Sequence, residues 1–379
     1  MKVLITGASG FVGRAVSEAV ILEGHSVRRM ARGIRLQDAG TDWVKGSVLC
    51  PEDLRQALDG CDAVVHLVGI IGEVGDQTFE RVHHEATLRV VEAALACGVR
   101  RMVHMSALGT RPSAVSRYHQ TKWAAEEVVR SSGLDWTVFR PSLIYGPGDG
   151  FFGLFARMSR WSPALPVIGR GTSLLQPVAV ECVAQAFARS LDSKAAVGTT
   201  YDLCGPQRLT MPQILRSILQ TTGRRRGVVR IPRGLAWVQA AILELLFARL
   251  LNRVSPLSRD QILMLEEDNV GDSGPAQRDF QLPSIPFADG IRGIDGKSNP
   301  DQFGHLGGNT AAFHQRFPHE DSAASRFPEP NHIGAAVDTA LADQHPRSPF
   351  GGGKQLFGQV LCGPQIDLEG LEIPVIDPH

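Results

Sequence analysis

The opening residues MKVLITGASGFVG limit what this chain can become more than any other stretch. An apolar, β-favouring run ends at Gly7, and helix-forming residues begin a few positions later. Gly7 suits a tight turn. Gly10 lets backbone approach a ligand closely, and Gly13 lets a helix sit close on its sheet. The pattern then repeats. Strands are expected at KVLITG, HSVRRMAR, DWVKG, CDAVVHLVG, RRMVHMSALG and DWTVFRPS. Helices are expected over 11–23, PEDLRQALDG, 79–97 and 118–131. CDAVVHLVG is almost continuously apolar, as a parallel strand covered on both faces requires. The alternation predicts an α/β fold, a doubly wound parallel sheet over residues 1–150.

After YGPGDG the pattern loosens. FFGLFARMSR reads as a short helix, PALPVIGRG as loop and edge, and PVAVECVAQAFARSL as a helix. TTYDLCGPQRLTMPQILRSILQTTG reads as strand, turn and helix, with Thr210 as a cap. Residues 151–270 are therefore expected to form a smaller C-terminal α/β lobe that partly returns to the first sheet. Residues 271–379 show no sustained period and are rich in Gly, Pro, Asp, Ser and His, so a low-order tail is expected there.

Lys+Arg and Asp+Glu both number 39, so no global charge draws the chain to nucleic acid or to an anionic membrane. The six cysteines lie at 50, 61, 97, 182, 204 and 362 with no CxxC pair. That argues against a disulfide scaffold or a bound metal and for reduced, mostly buried thiols. The chain enters a strand at once, without a secretory leader pattern, and contains no long uncharged apolar run. A cytoplasmic protein is expected. One segment stands apart: LAWVQAAILELLFARLL, 235–251, preceded by GRRRG, Arg230 and Arg233. It fits a helix packed within the lobe, or one lying on a membrane surface or a partner.

The glycine turn, with Gly7, Ser9, Gly10, Phe11, Val12 and Gly13, is the candidate cradle for a dinucleotide pyrophosphate. Cofactor choice turns on the end of the second strand, VRRMARG, where no Asp or Glu precedes Asp38. Arg32, then Arg29, would hold an adenosine 2′-phosphate, so NADP(H) is preferred with NAD(H) as the alternative. Ser47 and Val48 after the third strand, Leu67, Val68 and Gly69 after the fourth, and Met105 and Ser106 after the fifth complete the pocket. Ligands of open α/β sheets bind at the carboxyl ends of the strands. In SRYHQTKWAAEE, Tyr118 and Lys122 are four apart and share one helix face.

TGASGFVG, VVHLVG, MVHMSALG, YHQTK, VFRPSLIYGPGD and QPVAVECVAQA together resemble extended or atypical short-chain dehydrogenase/reductases. SALG, SRYHQTKWAAEEVVRSSG, FRPSLIYGPGDGFF and PLSRDQILMLEEDNV are similar, more narrowly, to the branch containing the nucleotide-binding accessory subunit (alpha-subcomplex subunit 9) of respiratory complex I. The likeness spans about residues 1–270. It implies a Rossmann-type fold, Tyr118 as proton donor or acceptor, Lys122 as the group that lowers its pKa, and Ser106 as the hydroxyl partner. It also implies Pro141 and Ser142 at the nicotinamide. The branch implies an NADP(H)-holding protein, without turnover, attached to a membrane-bound respiratory complex on the cytoplasmic face of the inner membrane. The alternative is an active NAD(P)-dependent reductase or nucleotide-sugar epimerase/dehydratase.

Two departures from the family pattern stand out. Ala107 and Leu108 occupy places where extended members carry a hydroxyl. His83, in HHEAT, replaces an Asn; with His84 it reads as a solvated helix face or a proton route. The segment Phe151–Arg170 is expected to roof the substrate cleft with apolar side chains, which suits a hydrophobic or quinone-like ligand.

Overall fold

The computed structural model describes residues 1–33, 42–247 and 253–292. The chain alternates from the start. It runs through β1 (Lys2–Thr6), α1 (Phe11–Leu22), β2 (Ser26–Ala31), β3 (Trp43–Lys45), α2 (Pro51–Leu58) and β4 (Ala63–His66). A π-wound turn, Glu80–Glu85, leads into α3 (Ala86–Ala96), followed by β5 (Arg101–Met105), α4 (Arg117–Arg130) and β6 (Asp135–Pro141). The second half holds β7 (Ile144–Tyr145), α5 (Phe151–Trp161), β8 (Ala164–Ile168), β9 (Leu174–Leu175), β10 (Val178–Ala179), α6 (Val180–Ser190) and β11 (Thr199–Leu203). Then come β12 (Leu209–Thr210), α7 (Met211–Thr221), β13 (Gly227–Ile231), α8 (Arg233–Leu246), α9 (Arg259–Glu266), α10 (Gly274–Phe280) and α11 (Phe287–Gly290).

The main sheet has the order β11-β6-β5-β4-β1-β2-β3, with every pairing parallel. This is the doubly wound α/β architecture expected. Each central strand is apolar on both sides. Val3, Ile5, Val65, Val103 and Phe139 face α1 and α6, while Leu4, Val64, Met102 and Val138 face α2, α3 and α4. The period-2 alternation of a strand therefore feeds two cores at once. The winding reverses between β1 and β4, so their carboxyl ends open a crevice.

The later half departs from the sequence reading in three places. PALPVIGRG contains a true strand: β8 pairs in parallel with β13 over five residues. The β13 half of that pair, GVVRI, was hidden among arginines. The low-order tail does not begin at 271. Phe280, Phe287 and Ile291 are buried, the first against Phe139 and Tyr201 and the second against Tyr145 and Phe152. These apolar residues are isolated in a polar, proline-rich stretch, so periodicity misses them although the core takes them in. Residues 293–379, the end of the expected 235–251 helix, Asp38 and Cys362 lie outside the described residues. Of the other cysteines, Cys182 and Cys204 are buried, Cys50 and Cys61 half-buried and Cys97 exposed, fewer buried than expected. Among the described residues no helix is long and apolar enough to cross a membrane.

Candidate functional site

The glycine loop fills the crevice between β1 and β4. Gly7 sits at φ +76°, and a Cβ there would come within 3.2 Å of the Leu67–Val68 backbone. At Gly13 a Cβ would lie 2.2 Å from the Gly7 carbonyl oxygen, so only glycine lets α1 rest on the loop. The first rung of α1 is Arg14 N–H to the Gly10 carbonyl at 3.1 Å. The amides of Phe11, Val12 and Gly13 thus precede the helix ladder. The first turn of α1 carries no acidic residue, and Ser9 is exposed beside it. Unpaired amides at a helix start favour an anion, so these residues fit a pyrophosphate.

At the adenosine end the three arginines separate by partner. Arg28 is spent on structure: its guanidinium donates to the Ala57 carbonyl (3.0 Å) and pairs with Asp42 (3.3 Å). Arg29 lies 5.8 Å from the Trp43 ring centroid, and Arg32 is exposed just past β2. The Ser47 amide donates to Asp53 (2.8 Å), and Val48 packs on the core beneath α2. Arg29 and Arg32 remain the groups able to meet a 2′-phosphate.

The Tyr–Lys end is assembled from distant segments. Ser116 caps α4 by accepting from the His119 amide at 3.2 Å. Asp260 of α9 accepts from the next two free amides, Arg117 (2.8 Å) and Tyr118 (3.1 Å). Lys122 is buried and donates to the Met105 carbonyl at 3.0 Å. A Cβ on Gly69 would lie 3.1 Å from its Nζ. Lys122 therefore joins the carboxyl ends of β4 and β5 to α4. The half-buried Tyr118 ring meets Phe79, His83 and His119 edge-on at 5.9, 5.2 and 5.3 Å. Ser106 sits at the strand end with its hydroxyl directed to Thr110 (3.4 Å). Leu108 N–H bonds the Pro141 carbonyl (2.9 Å), and Ser142 donates to the Asn269 side chain. The structure thus gathers Tyr118, Lys122, Gly69 and Met105. Ser106 and Ser142 are nearby but engaged with protein partners.

Burial governs the charges here. It pushes the Tyr118 phenol up to about 12, and the Asp260 carboxylate adds to the rise. The expectation that Lys122 holds this phenol low does not hold for the protein alone. Burial brings Lys122 itself down to about 8, opposed by Glu126. His66, on β4, falls to about 3 through burial and then the Lys122 charge. Its ring stacks on His104 of β5 at 5.5 Å, and His66 Nε2 and both His104 ring nitrogens find no partner among the described residues.

His83 corrects the solvated-face reading. It is buried, its Nε2 meets the amide (3.1 Å) and the carbonyl (3.0 Å) of Ile70, and its Nδ1 shares a hydrogen bond with the Thr121 hydroxyl (2.9 Å). Burial drives its pKa down to about 2. The π-wound turn aims it inward, clamping the loop after β4 onto α4. The roof of the cleft differs too. Phe152 and Phe155 of α5 are core residues packed with Tyr145, so they do not line a cleft. Exposed apolar side chains are found instead at Val115, three residues before Tyr118, at Ile71, next to the Ile70 that bonds His83, and at Val254. Val254 lies against Gly72, and Gln261 donates to the Ile71 carbonyl. Sequence reasoning missed Asp260 and Asn269. The Ser258–Gln261 capping box that starts α9 was the available signal.

A family model described as NAD(P)H-binding matches residues 7–150. A "Ceramide reductase" of Caulobacter vibrioides is 31% identical over 243 residues, covering 61% of this chain and 73% of that protein. The mitochondrial "NADH dehydrogenase [ubiquinone] 1 alpha subcomplex subunit 9" of Arabidopsis thaliana is 28% identical over 279 residues, covering 70% of this chain and 68% of that protein. Neither likeness outweighs the other, so the narrower branch is not singled out. A Bacillus cereus UDP-glucuronic acid 4-epimerase, solved with UDP-glucuronic acid and NAD, superposes with TM-score 0.59 at 19% identity, covering 77% of this chain and 96% of that one. It shares the fold.

Proposed function

The chain belongs to the extended short-chain dehydrogenase/reductase superfamily of NAD(P)-binding proteins, and from that premise we propose that it is an NAD(P)(H)-dependent reductase of a carbonyl on an apolar substrate. One observation carries the reading. Tyr118 and Lys122 share a face of α4, and the buried Lys122 ammonium reaches Met105 and Gly69 where a nicotinamide ribose would lie. The glycine loop would hold the pyrophosphate through the α1 amides. Arg29 and Arg32 would hold a 2′-phosphate and favour NADP(H). The bound dinucleotide supplies the hydride. Tyr118, neutral at physiological pH, donates its proton to the carbonyl oxygen. The Lys122 charge stabilises the phenolate left behind. Ile71, Val115 and Val254 favour an alkyl-bearing substrate, in keeping with a relative named for acting on ceramide.

Residues 1–150 serve the dinucleotide in this reading, and the lobe from 151 shapes the substrate side. A second reading, cofactor holding without turnover as a respiratory-complex accessory protein, has one observation in its favour. The Ser106 hydroxyl faces Thr110, and Ala107 and Leu108 supply no other hydroxyl.

The test is fluorescence titration with NADPH and NADH, then turnover of long-chain ketones. Micromolar NADPH binding with turnover lost in Tyr118→Phe is the expected result. Binding without turnover of any carbonyl favours the accessory reading, and no dinucleotide binding refutes both. Arg32→Glu should lower the NADPH-over-NADH preference by about tenfold, the scale of one charge-assisted contact.

A further inference from the structure

α8 is mostly apolar, with Gln239 and Glu244 its polar interruptions, yet only one side is covered. Ala236 and Ala240 pack on Ile168, Ile231, Leu257 and Ile262. On the open side Leu235, Val238, Ile242 and Leu245, spaced i, i+3, i+7 and i+10, are 61%, 57%, 52% and 54% exposed. An exposed aliphatic stripe opposite an already packed face needs something over it. Val228 and Val229 of β13, just before α8, are also exposed, and Trp161, beside β8, is 90% exposed. The charge on the same elements is one-sided. Residues 151–180 contain three arginines and no Asp, Glu or Lys, and residues 205–246, to the end of α8, contain seven arginines against Glu244 alone, which pairs with Arg259. In a chain whose charges balance overall, that is a local cationic field. Arg225 and Arg230 are exposed and make no ion pair among the described residues.

We infer that α8, β13 and Trp161 dock on an anionic lipid bilayer, and that the Tyr118–Lys122 site takes its alkyl-chain substrate from that bilayer. The second clause rests on the reductase reading. Aliphatic side chains in a stripe, an indole at the edge and flanking guanidinium groups fit acyl chains, the interface and anionic headgroups in turn. A second copy of the same face would bring its arginines against their like. α8 is 14 residues long and lies on the lobe, which suits lying in the interface rather than crossing it. α9 links this face to the start of the Tyr118 helix. Arg259 bonds Glu244 of α8 (2.7 Å) and stacks over Trp237 (5.1 Å), while the next residue, Asp260, holds the start of the Tyr118 helix. Val254, between α8 and α9, lies against Gly72 in the loop after β4.

The full chain should float with phosphatidylcholine vesicles containing phosphatidylglycerol. Flotation should be about tenfold weaker with phosphatidylcholine alone and should fall with salt. Ile242→Glu and the pair Arg225→Glu/Arg230→Glu should each abolish it while leaving melting temperature and dinucleotide binding unchanged. Turnover of a long-chain ketone carried in those vesicles should drop about tenfold in Ile242→Glu, and turnover of a short water-soluble ketone should not. Three results overturn docking: no flotation with the anionic vesicles, flotation indifferent to both variants, or a soluble dimer that Ile242→Glu dissolves. Equal turnover of the vesicle-borne ketone by wild type and Ile242→Glu overturns delivery. If wild type floats but reduces neither ketone, the reductase reading and delivery fall and docking stands.

Discussion

At the phosphate end of the crevice every group comes from residues 2–69, a continuous piece of chain. At the Tyr–Lys end, the amide of Tyr118 is held by a carboxylate 142 positions later, and Ser142 by an asparagine 127 positions later. The first end is made of backbone: glycines, open amides and a helix start. The second is made of side chains brought together by the fold, and burial sets their charge. Backbone geometry tolerates no substitution but leaves little to adjust. Side-chain assembly can be tuned, and it can also exist without turning over a substrate. The comparison predicts graded losses.

The largest belongs to Gly13. A side chain there meets the Gly7 carbonyl at 2.2 Å, and the obstacle is backbone that cannot rotate away. Gly13→Val should destabilise the fold by about 3 kcal/mol or more and bring dinucleotide binding below detection. Thermal melting and NADPH titration read the two effects. A variant that binds normally would dissolve the contrast between a rigid end and a tunable one.

Tyr118→Phe comes next, and it should act on one step only. The ring keeps its edge contacts with Phe79, His83 and His119, so NADPH affinity should stay within about threefold. Carbonyl reduction should fall by about 10²–10⁴, the usual weight of a positioned proton donor. Lys122→Met should separate stability from function. The folded pKa of Lys122, about 8, lies below its free value of 10.5, so burial of the ammonium opposes folding at neutral pH by on the order of 3 kcal/mol. Between those two values the native state binds fewer protons than the unfolded chain, so stability of the wild type rises as pH increases across that window. The methionine variant should melt higher at pH 7, lose this rise, and bind dinucleotide at least tenfold more weakly. A variant that melts lower at pH 7 would mean the ammonium is well paired after all.

How much of this could be read in the sequence follows the same division. The glycines at 7, 10 and 13, the apolar run CDAVVHLVG and the Tyr118–Lys122 spacing are local signals, and each element they imply is present. The capping box at Thr210 and Gln213 is equally local. What escaped depends on tertiary packing. GVVRI becomes a strand because β8 is there to pair with it. Phe280 and Phe287 become core because Phe139 and Tyr145 offer aromatic edges to them. His83 turns inward because a π-wound turn rotates it, which a 3.6-residue period cannot anticipate. The phenol's rise could not be read at all, since it needs the burial of Tyr118 and the place of Asp260.

Asp260 gives the smallest expected effect and tests the tunable end most directly. Its carboxylate accepts two α4 amides, so it acts as a remote second cap beside Ser116. It also adds negative charge near the Tyr118 phenol. Asp260→Asn keeps an oxygen able to accept one amide but removes the charge. Stability should fall by about 1 kcal/mol, the scale of a helix cap. The phenol should then ionise at lower pH, because a charge opposing phenolate is gone. Reduction needs the protonated phenol, so the alkaline limb of its pH profile should move toward lower pH. A purely structural role for Asp260 would lower the melting temperature and leave that limb in place. The pH profile of the asparagine variant against wild type therefore decides whether a residue in the last third of the chain sets the chemistry of a tyrosine in the first.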